Sequence, residues 1–565
     1  MSASRHTVTF RVEIDDQPIA EDVAGMIVSA VVDDSLVQPD LFSVTFRDPD
    51  RVVVSKTGVQ FGSAVTLAIV SNAEPVGREL LRGEVTALEA EVTPGGTFTV
   101  IRGYDHSHRL FRGRVTETYR NVTAADVAGR VARRAGLDIG TIVDTDVVYD
   151  HVSQHNQSDW EFLTQLAASI GYTVGVVDTA LDFAPAPPAA AGPTIGGFDA
   201  DDPLQLVPGA NLLQLRAVVT SAEQASRVSV RGWSPSHKER VVGVADAGTT
   251  SASIEVDPAG LAAAFGSTEF VATRTPYRSQ DDVDGAARAI GEQLGGAFAE
   301  LEGICRGNPD VRAGAAVALG LVGPPFDGRY TVTTTRHLYE PTEGYVTMFT
   351  VSGRQDRSLL GLASGAPAPR AGRVAGVVPA IVTNVNDPDE LGRVKLALPW
   401  LADSYETDWA RVVQAGAGPQ RGAVVVPEVD DEVLAAFDQG DLRSPYVVGG
   451  LYNGVDPPQL GDGFVDAAAG AVTRRGFTSK HGHAVVFGDS DADDGISIVT
   501  AGGRLIVHLD QQAGKVTIES DGDLHLGAQR AVTIEAGTEL ALQGGRVSID
   551  SDSDVTASAQ LIKLN

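Results

Sequence analysis

The run Asp489-Ser-Asp-Ala-Asp-Asp-Gly495 places four carboxylates within seven residues, the oxygen-rich pattern with which a calcium loop begins. Such a loop needs glycine at its sixth position and a bidentate glutamate at its twelfth. Here those positions hold Asp494 and Thr500, and no helical pattern precedes the run. It reads as a solvated acidic turn. His481 and His483 flank Gly482 without a cysteine or carboxylate at zinc-ligand spacing, so they read as surface histidines. His508 lies between Val507 and Leu509, and His525 between Leu524 and Leu526; in a strand, period two turns each ring away from its apolar neighbours. Cys305 is the single cysteine, which excludes an intrachain disulfide and a cysteine-based zinc site. It reads as a packed small side chain rather than a nucleophile. No Gly-x-Ser-x-Gly elbow, His-Glu-x-x-His pair or phosphate-cradling Gly-Lys-Ser/Thr loop is present. Trp160 and Phe162 read as core. The sequence therefore assigns no catalytic residue, no cofactor and no metal.

The elements that would position any site are mostly short strands. Thr7–Ile14, Leu41–Arg47, Ala64–Val70, Glu84–Ala90 and Phe98–Tyr104 alternate apolar and polar residues between Gly, Pro and Asp breaks. Thr123 can cap a helix to about Ala135, with Gly136 stopping it. Ser158 and Glu161 form a capping-box pattern for a helix ended by Gly171. Residues 184–193, rich in Pro and Ala, form a loop. A third helix is predicted over Asp281–Glu302, with Ala286, Ile290, Leu294 and Phe298 at helical spacing. Strands resume at Ala315–Leu321, Gly328–Tyr339 and Gly344–Ser352. The stretch 361–373 has linker composition. Six strands follow, Ala375–Asn384, Gly392–Pro399, Trp409–Gln414, Ala423–Val426, Glu432–Phe437 and Tyr446–Leu451, and fit a small closed barrel such as an OB-fold.

Composition narrows the function. The chain has 565 residues and a formal charge of −30, with only six lysines among 44 basic residues. Such an acidic chain without a basic run is not built to hold nucleic acid through phosphates, nor to settle on an anionic membrane. No apolar run approaches the roughly 18 residues needed to span a bilayer. The first sixteen residues alternate like a strand and lack the apolar core of a signal peptide, so synthesis in the cytoplasm is expected.

The last 65 residues carry a numerical signal. Apolar alternations begin at Val516, Leu524, Val532, Leu540, Val547, Val555 and Ile562, in steps of 8, 8, 8, 7, 8 and 7. Each unit offers two apolar residues at i and i+2, then polar turn residues. Strands this short bury one thin face and cannot stand alone, so the missing core must come from other copies or a longer solenoid. Three chains wrapped into one prism is the better solution for seven units. Val516, Ile518, Leu524, Leu526, Val532, Ile534, Leu540, Leu542, Val547 and Ile549 are then the predicted trimer core.

Several longer strings resemble a known family. They are Gly-Tyr-Asp-His-Ser-His-Arg-Leu-Phe-Arg-Gly (103–113), Gln-Ser-Asp-Trp-Glu-Phe-Leu-Thr-Gln-Leu-Ala-Ala-Ser-Ile-Gly-Tyr (157–172), Glu-Gly-Ile-Cys-Arg-Gly-Asn-Pro (302–309) and Phe-Asp-Gly-Arg-Tyr-Thr-Val (326–332). The barrel adds Asp-Glu-Leu-Gly-Arg-Val-Lys-Leu-Ala-Leu-Pro-Trp (389–400), Pro-Glu-Val-Asp-Asp-Glu-Val-Leu (427–434) and Gly-Asp-Leu-Arg-Ser-Pro-Tyr-Val-Val-Gly-Gly-Leu-Tyr-Asn-Gly (440–454). Over nearly its whole length the chain resembles the VgrG-type spike of contractile injection systems, similar to the central spike hub of contractile-tailed phages.

The resemblance implies a mainly β, multidomain protein: tube-like β-barrel hub domains with a few helices, an OB-fold barrel, then a C-terminal trimeric intertwined β-helix or β-prism. Hub domains would span 1–360, a linker 361–373, the OB-fold 374–458, a connecting segment 459–500 and the needle 501–565. It implies a homotrimer whose hub docks on the inner-tube ring and baseplate. At the other end, Leu561, Ile562, Leu564 and Asn565 would bind a Pro-Ala-Ala-Arg-type tip protein. Such a spike would be assembled into a phage-tail-like particle, pierce a target envelope and carry effectors. Phage relatives can insert a lysozyme domain beside the barrel, where 364–375 leaves no room, and some relatives carry a toxic domain after the needle, where this chain stops. Both features point to a structural protein rather than an enzyme. The alternative reading is a tail-associated cell-wall-degrading glycosidase, which has only analogy behind it.

Overall fold

The computed structural model describes residues 8–563 except 72–75, 146, 195–198, 200–201, 223, 267, 354–372 and 461–462. The linker 361–373 lies outside the described residues apart from Arg373. The chain forms two compact units, 1–451 and 452–565. Among the described residues no helix is long and apolar enough to cross a membrane.

The first unit is organised by one antiparallel sheet of eleven strands. Its order is Leu212–Val219, Ala299–Arg306, Gly344–Val351, Thr334–Glu340, Ile27–Ser35, Leu41–Arg47, Gly96–Asp105, Arg78–Thr93, Ala64–Ser71, Val8–Ile14 and Gln17–Pro18. Strands from the first 105 residues thus join strands from 212–351 edge to edge. The seam is the pairing of Ile27–Ser35 with Thr334–Glu340, Val31 opposite Leu338. Period-two alternation drives one side of each strand inward: Phe10, Val12, Phe42, Val44, Phe46 and Leu67 are all buried. At Gly103 any side chain would run into the Glu84 carbonyl oxygen and the Phe42 ring, so the crossing of these strands requires glycine.

Between the two groups of strands lies a helical module. Thr123 and Asp126 close a capping box at the helix Ala124–Arg134, and Ser158 and Glu161 do the same for Asp159–Ile170. Gly136 and Gly171 take positive φ of 70° and 78° just beyond the two helices. Trp160 stacks on Phe111 and Phe162 on Tyr119, and both are buried.

Two sequence expectations need correction here. The third helix is Gln280–Gly296, capped by Ser279, and does not reach Glu302. Gly295 packs on the Gly248 backbone with no room for a side chain. From Ala299 the burial alternates through Leu301, Gly303 and Cys305, so this stretch is a strand, and Phe298 belongs to the core beneath it. The predicted strand Gly328–Tyr339 is two strands. Gly328–Thr331 joins a four-stranded sheet, and Thr334–Glu340 joins the eleven-stranded sheet, with Val332 and Thr333 as the crossing.

The barrel orders its strands Lys395–Ala397, Val377–Asn384, Glu432–Phe437, Pro445–Gly450 and Arg411–Val412. Bridges between Val394 and Ala410 and between Ala397 and Glu406 close it. The expected strand Ala423–Val426 does not form. The Gln414 side chain takes the place of a ladder partner, accepting from the Val425 N–H at 3.0 Å and donating to the Val425 carbonyl at 2.9 Å.

The second unit centres on a five-stranded antiparallel meander: Arg474–Thr478, Ala484–Ser490, Asp493–Val499, Leu505–Asp510 and Lys515–Ser520. This sheet runs across residue 500, where the sequence reading divided a connecting segment from a needle. Beyond Ser520 the described residues carry no helix or strand, and every one from 521 to 563 is exposed.

Candidate functional site

Most residues that sequence chemistry singled out have ordinary partners or lie exposed. The acidic run 489–495 spans a β-hairpin; Asp489 pairs with Arg475, and Asp493 accepts from Arg474 Nε at 2.9 Å. His483 Nδ1 accepts from the Ala501 N–H at 3.1 Å, and His508 bonds Ser497 at 2.8 Å on the side of the sheet away from Val507 and Leu509. His481 and His525 are exposed. Among the described residues no three metal-ligating side chains converge. Cys305 lies in the strand Ala299–Arg306 of the eleven-stranded sheet with its side chain buried, and burial pushes its thiol up to about 12, which keeps it protonated.

Two charged clusters in the first unit escaped the sequence reading because their members come from separate strands, helices and connections. A cavity of about 790 Å³ is lined by Glu84, His108, Arg109 and Arg134, with Phe61 at its edge. Burial works against the Glu84 charge, yet Arg109 and His108, both at 2.6 Å, hold its carboxyl down to about 2. Near the sheet seam, burial raises the carboxyls of Asp34, Asp40 and Asp105, the last to about 7, with Arg312 as the opposing cation. Asp34 accepts from the Ala313 N–H at 2.9 Å, so this cluster ties both groups of strands together.

The feature that lacks partners is apolar. In the meander, Phe477, Val485, Ile498, Val507 and Ile518 lie opposite one another across the five strands, and so do Phe487, Ile496, Leu509 and Val516. Both rows share one face, because 485 and 487, or 516 and 518, are two residues apart. The other face carries Gly476, Val486, Ser497, His508 and Thr517. Phe477 is 74 % exposed and Ile498 53 %. The sequence reading found Val516 and Ile518 but missed the four preceding strands. Their alternation was legible, but their spacing is irregular beside the eight-residue repeat.

The ten predicted trimer-core residues are all exposed in the single chain, from 53 % at Ile518 to 70 % at Ile549. Val516 and Ile518 sit in the last meander strand. The other eight lie beyond it, where the chain offers no strand partner among the described residues. Of the predicted tip residues, Leu561 and Ile562 are exposed, and Leu564 and Asn565 lie outside the described residues.

Comparison with known proteins places this architecture. Residues 378–452 match the type VI secretion system/phage-baseplate injector OB domain, and residues 62–340 match a family described as the Alg8 N-terminal domain. The type VI secretion system spike protein VgrG2a of Pseudomonas aeruginosa is 36 % identical over 103 residues, covering 16 % of this chain and 12 % of that protein. VgrG1c of the same organism is 24 % identical over 153 residues, covering 26 % of this chain and 20 % of that protein. The matched stretches thus span well under two thirds of these relatives. A Francisella PdpA–VgrG complex shares the fold with a TM-score of 0.52 at 10 % identity, over 92 % of this chain and 80 % of that one. Together these findings support the resemblance to VgrG-type spike proteins, with a mainly β architecture that includes an injector OB domain.

Proposed function

We propose that this chain is a spike and baseplate component of a contractile, type VI-like injection machine, acting as a homotrimer that caps the inner tube and pierces the target envelope. One observation carries the reading: a strip of apolar pairs at eight-residue spacing, fully written in the sequence and uncovered in the single chain. Water-exposed apolar strips of this length belong in an interface. The hub sheet supports the reading as well, since an eleven-stranded arc with two open edges suits a ring built from several copies. On this reading the hub meets the tube ring and baseplate. Leu561 and Ile562, with Leu564 and Asn565, dock a Pro-Ala-Ala-Arg-type tip protein, and effectors travel with the spike. The role is structural rather than enzymatic, and synthesis and assembly are cytoplasmic.

Sedimentation analysis of the full chain tests this. A species of three times 58.9 kDa is expected, and a monomer at micromolar concentration overturns the reading. Removing residues 561–565 should leave the trimer intact and abolish co-purification of the tip protein; retained tip binding refutes the assignment of those residues.

A further inference from the structure

We propose that the contact between the helical module and the barrel is an acid-labile joint, at full strength only while His151 and His155 are both neutral. The inference does not depend on the trimer reading, since the joint lies within one chain.

The module presents a two-stranded ribbon to the barrel, Val115–Val122 paired with Tyr149–Gln157, with Arg120 opposite His151 and Thr118 opposite Ser153. Period two sorts the second strand. Val152 joins the module's apolar core, and Gln154 bonds Arg134 and Asp159 on that same side. His151, Ser153 and His155 turn the other way, toward the barrel. The Ser153 hydroxyl donates to the Tyr405 hydroxyl at 3.2 Å, and Arg120 pairs with Glu406. Glu406 is also held from the barrel side, by the Thr383 hydroxyl at 2.8 Å and Lys395 at 3.7 Å. These bonds are polar, so the joint depends on which protons are in place.

His151 is the group that cannot adapt. It is 8 % exposed, its Nε2 lies 3.3 Å from the Glu406 carbonyl oxygen, and its Nδ1 is buried without a partner among the described residues. That arrangement suits the neutral ring, whose one N–H donates to the carbonyl. An imidazolium would carry a second N–H, buried at Nδ1 and facing no acceptor, and would forfeit the solvation of that group. The surrounding charges do not rescue it. Burial holds His151 below the usual imidazole range; Asp408 favours its charge, but Arg120 on the ribbon and Lys395 on the barrel oppose it. Burial holds His155 down as well, against Asp441, whose carboxylate already accepts from Arg443 at 2.7 Å. Arg278 and Asp282, at the start of the third helix, add one charge of each sign around that pair.

Both rings are neutral when docked and free to ionise near about pH 6.5 when the parts separate, so separation takes up protons that the joint refuses. Docking is therefore at full strength above about pH 6.5 and weakens as pH falls, by up to about tenfold per pH unit for each ring. Glu406 and Asp441, whose carboxyls sit below their usual range in the joint, act in the same direction at lower pH.

Thiol accessibility in the full chain tests this, against a quiet background because Cys305 is buried. Ser153→Cys places a thiol in the joint. Thr118→Cys places another opposite it, at a buried hydroxyl that makes no hydrogen bond, so that substitution removes none. Labelling by a dithiodipyridine, which reacts with thiols in mild acid, is compared at each pH with labelling of the urea-unfolded chain. Both variants should be protected at about pH 7.5, and the protection should fall at least about tenfold by about pH 5.5. Adding His151→Gln and His155→Gln, which keep a donor but cannot ionise, should abolish that fall. Protection that stays the same across this range overturns the proposal. So does a fall that persists in the glutamine variants, which would assign it to the carboxylates. Free labelling of both thiols at about pH 7.5 in a folded chain overturns the contact itself.

Discussion

Replacing Ile534 separates the two energies that would hold the needle together. Ile534 keeps 59 % of its surface exposed in the single chain. Full burial of an aliphatic side chain is worth about 1.5–3 kcal/mol, so covering the remainder contributes about 1–2 kcal/mol per chain, or about 3–5 kcal/mol for three chains. Nine comparable residues share the strip, each between 53 % and 70 % exposed. Ile534→Ala should therefore weaken the assembly without abolishing it. Ile534→Asp imposes a second and greater cost, because three like charges would be brought into a dry core with no cation between them. The neighbouring positions of the proposed core, Val532 and Leu540, are apolar and offer no compensating group. We expect I534A to remain trimeric with a lowered melting temperature, and I534D to sediment as monomer with the first unit still folded. Sedimentation velocity with parallel thermal denaturation reads both outcomes. An I534D trimer that melts like the wild type would refute the inward assignment of the strip.

Three further outcomes follow from the first unit. Burial raises the Asp105 carboxyl from 3.8 to about 7, so the folded state keeps a proton that the unfolded chain releases between those values. That contribution makes stability fall as pH rises through the window, by about 1.4 kcal/mol per unit at most, and level off above it. Asp105→Asn should flatten the slope measured by urea unfolding between pH 5 and 8, and an unchanged slope contradicts the buried cluster. Cys305, with its thiol pushed up to about 12, should resist thiol reagents at pH 8 until the first unit unfolds, and rapid native labelling would contradict its packing. Gly103→Ala forces a methyl against the Glu84 carbonyl and the Phe42 ring, and should cost about 1–3 kcal/mol or more in chemical denaturation. A neutral result would mean the strands can part there cheaply.

Local chemistry was legible in the sequence wherever a few adjacent residues decide the outcome. Thr123 and Ser158 cap their helices because the bonds that matter lie within three residues. The alternation of Leu41–Arg47 marked its strand locally, and the seven- to eight-residue repeat was visible because it needs only counting. Three features depended on contacts between distant residues, and so on the tertiary structure. The third helix ends at Gly296 and gives way to the strand Ala299–Arg306, and Gly295 packs against the Gly248 backbone where a side chain would not fit, a contact that no periodicity reveals. The expected strand at Ala423–Val426 lost its ladder to a single side chain, Gln414. The apolar face of the meander appeared only once the register aligned Phe477, Val485, Ile498, Val507 and Ile518 in one row. A sequence specifies which residues of a strand share a side. Which strands stand next to each other is a long-range pairing, and it alone turns five alternating segments into one surface.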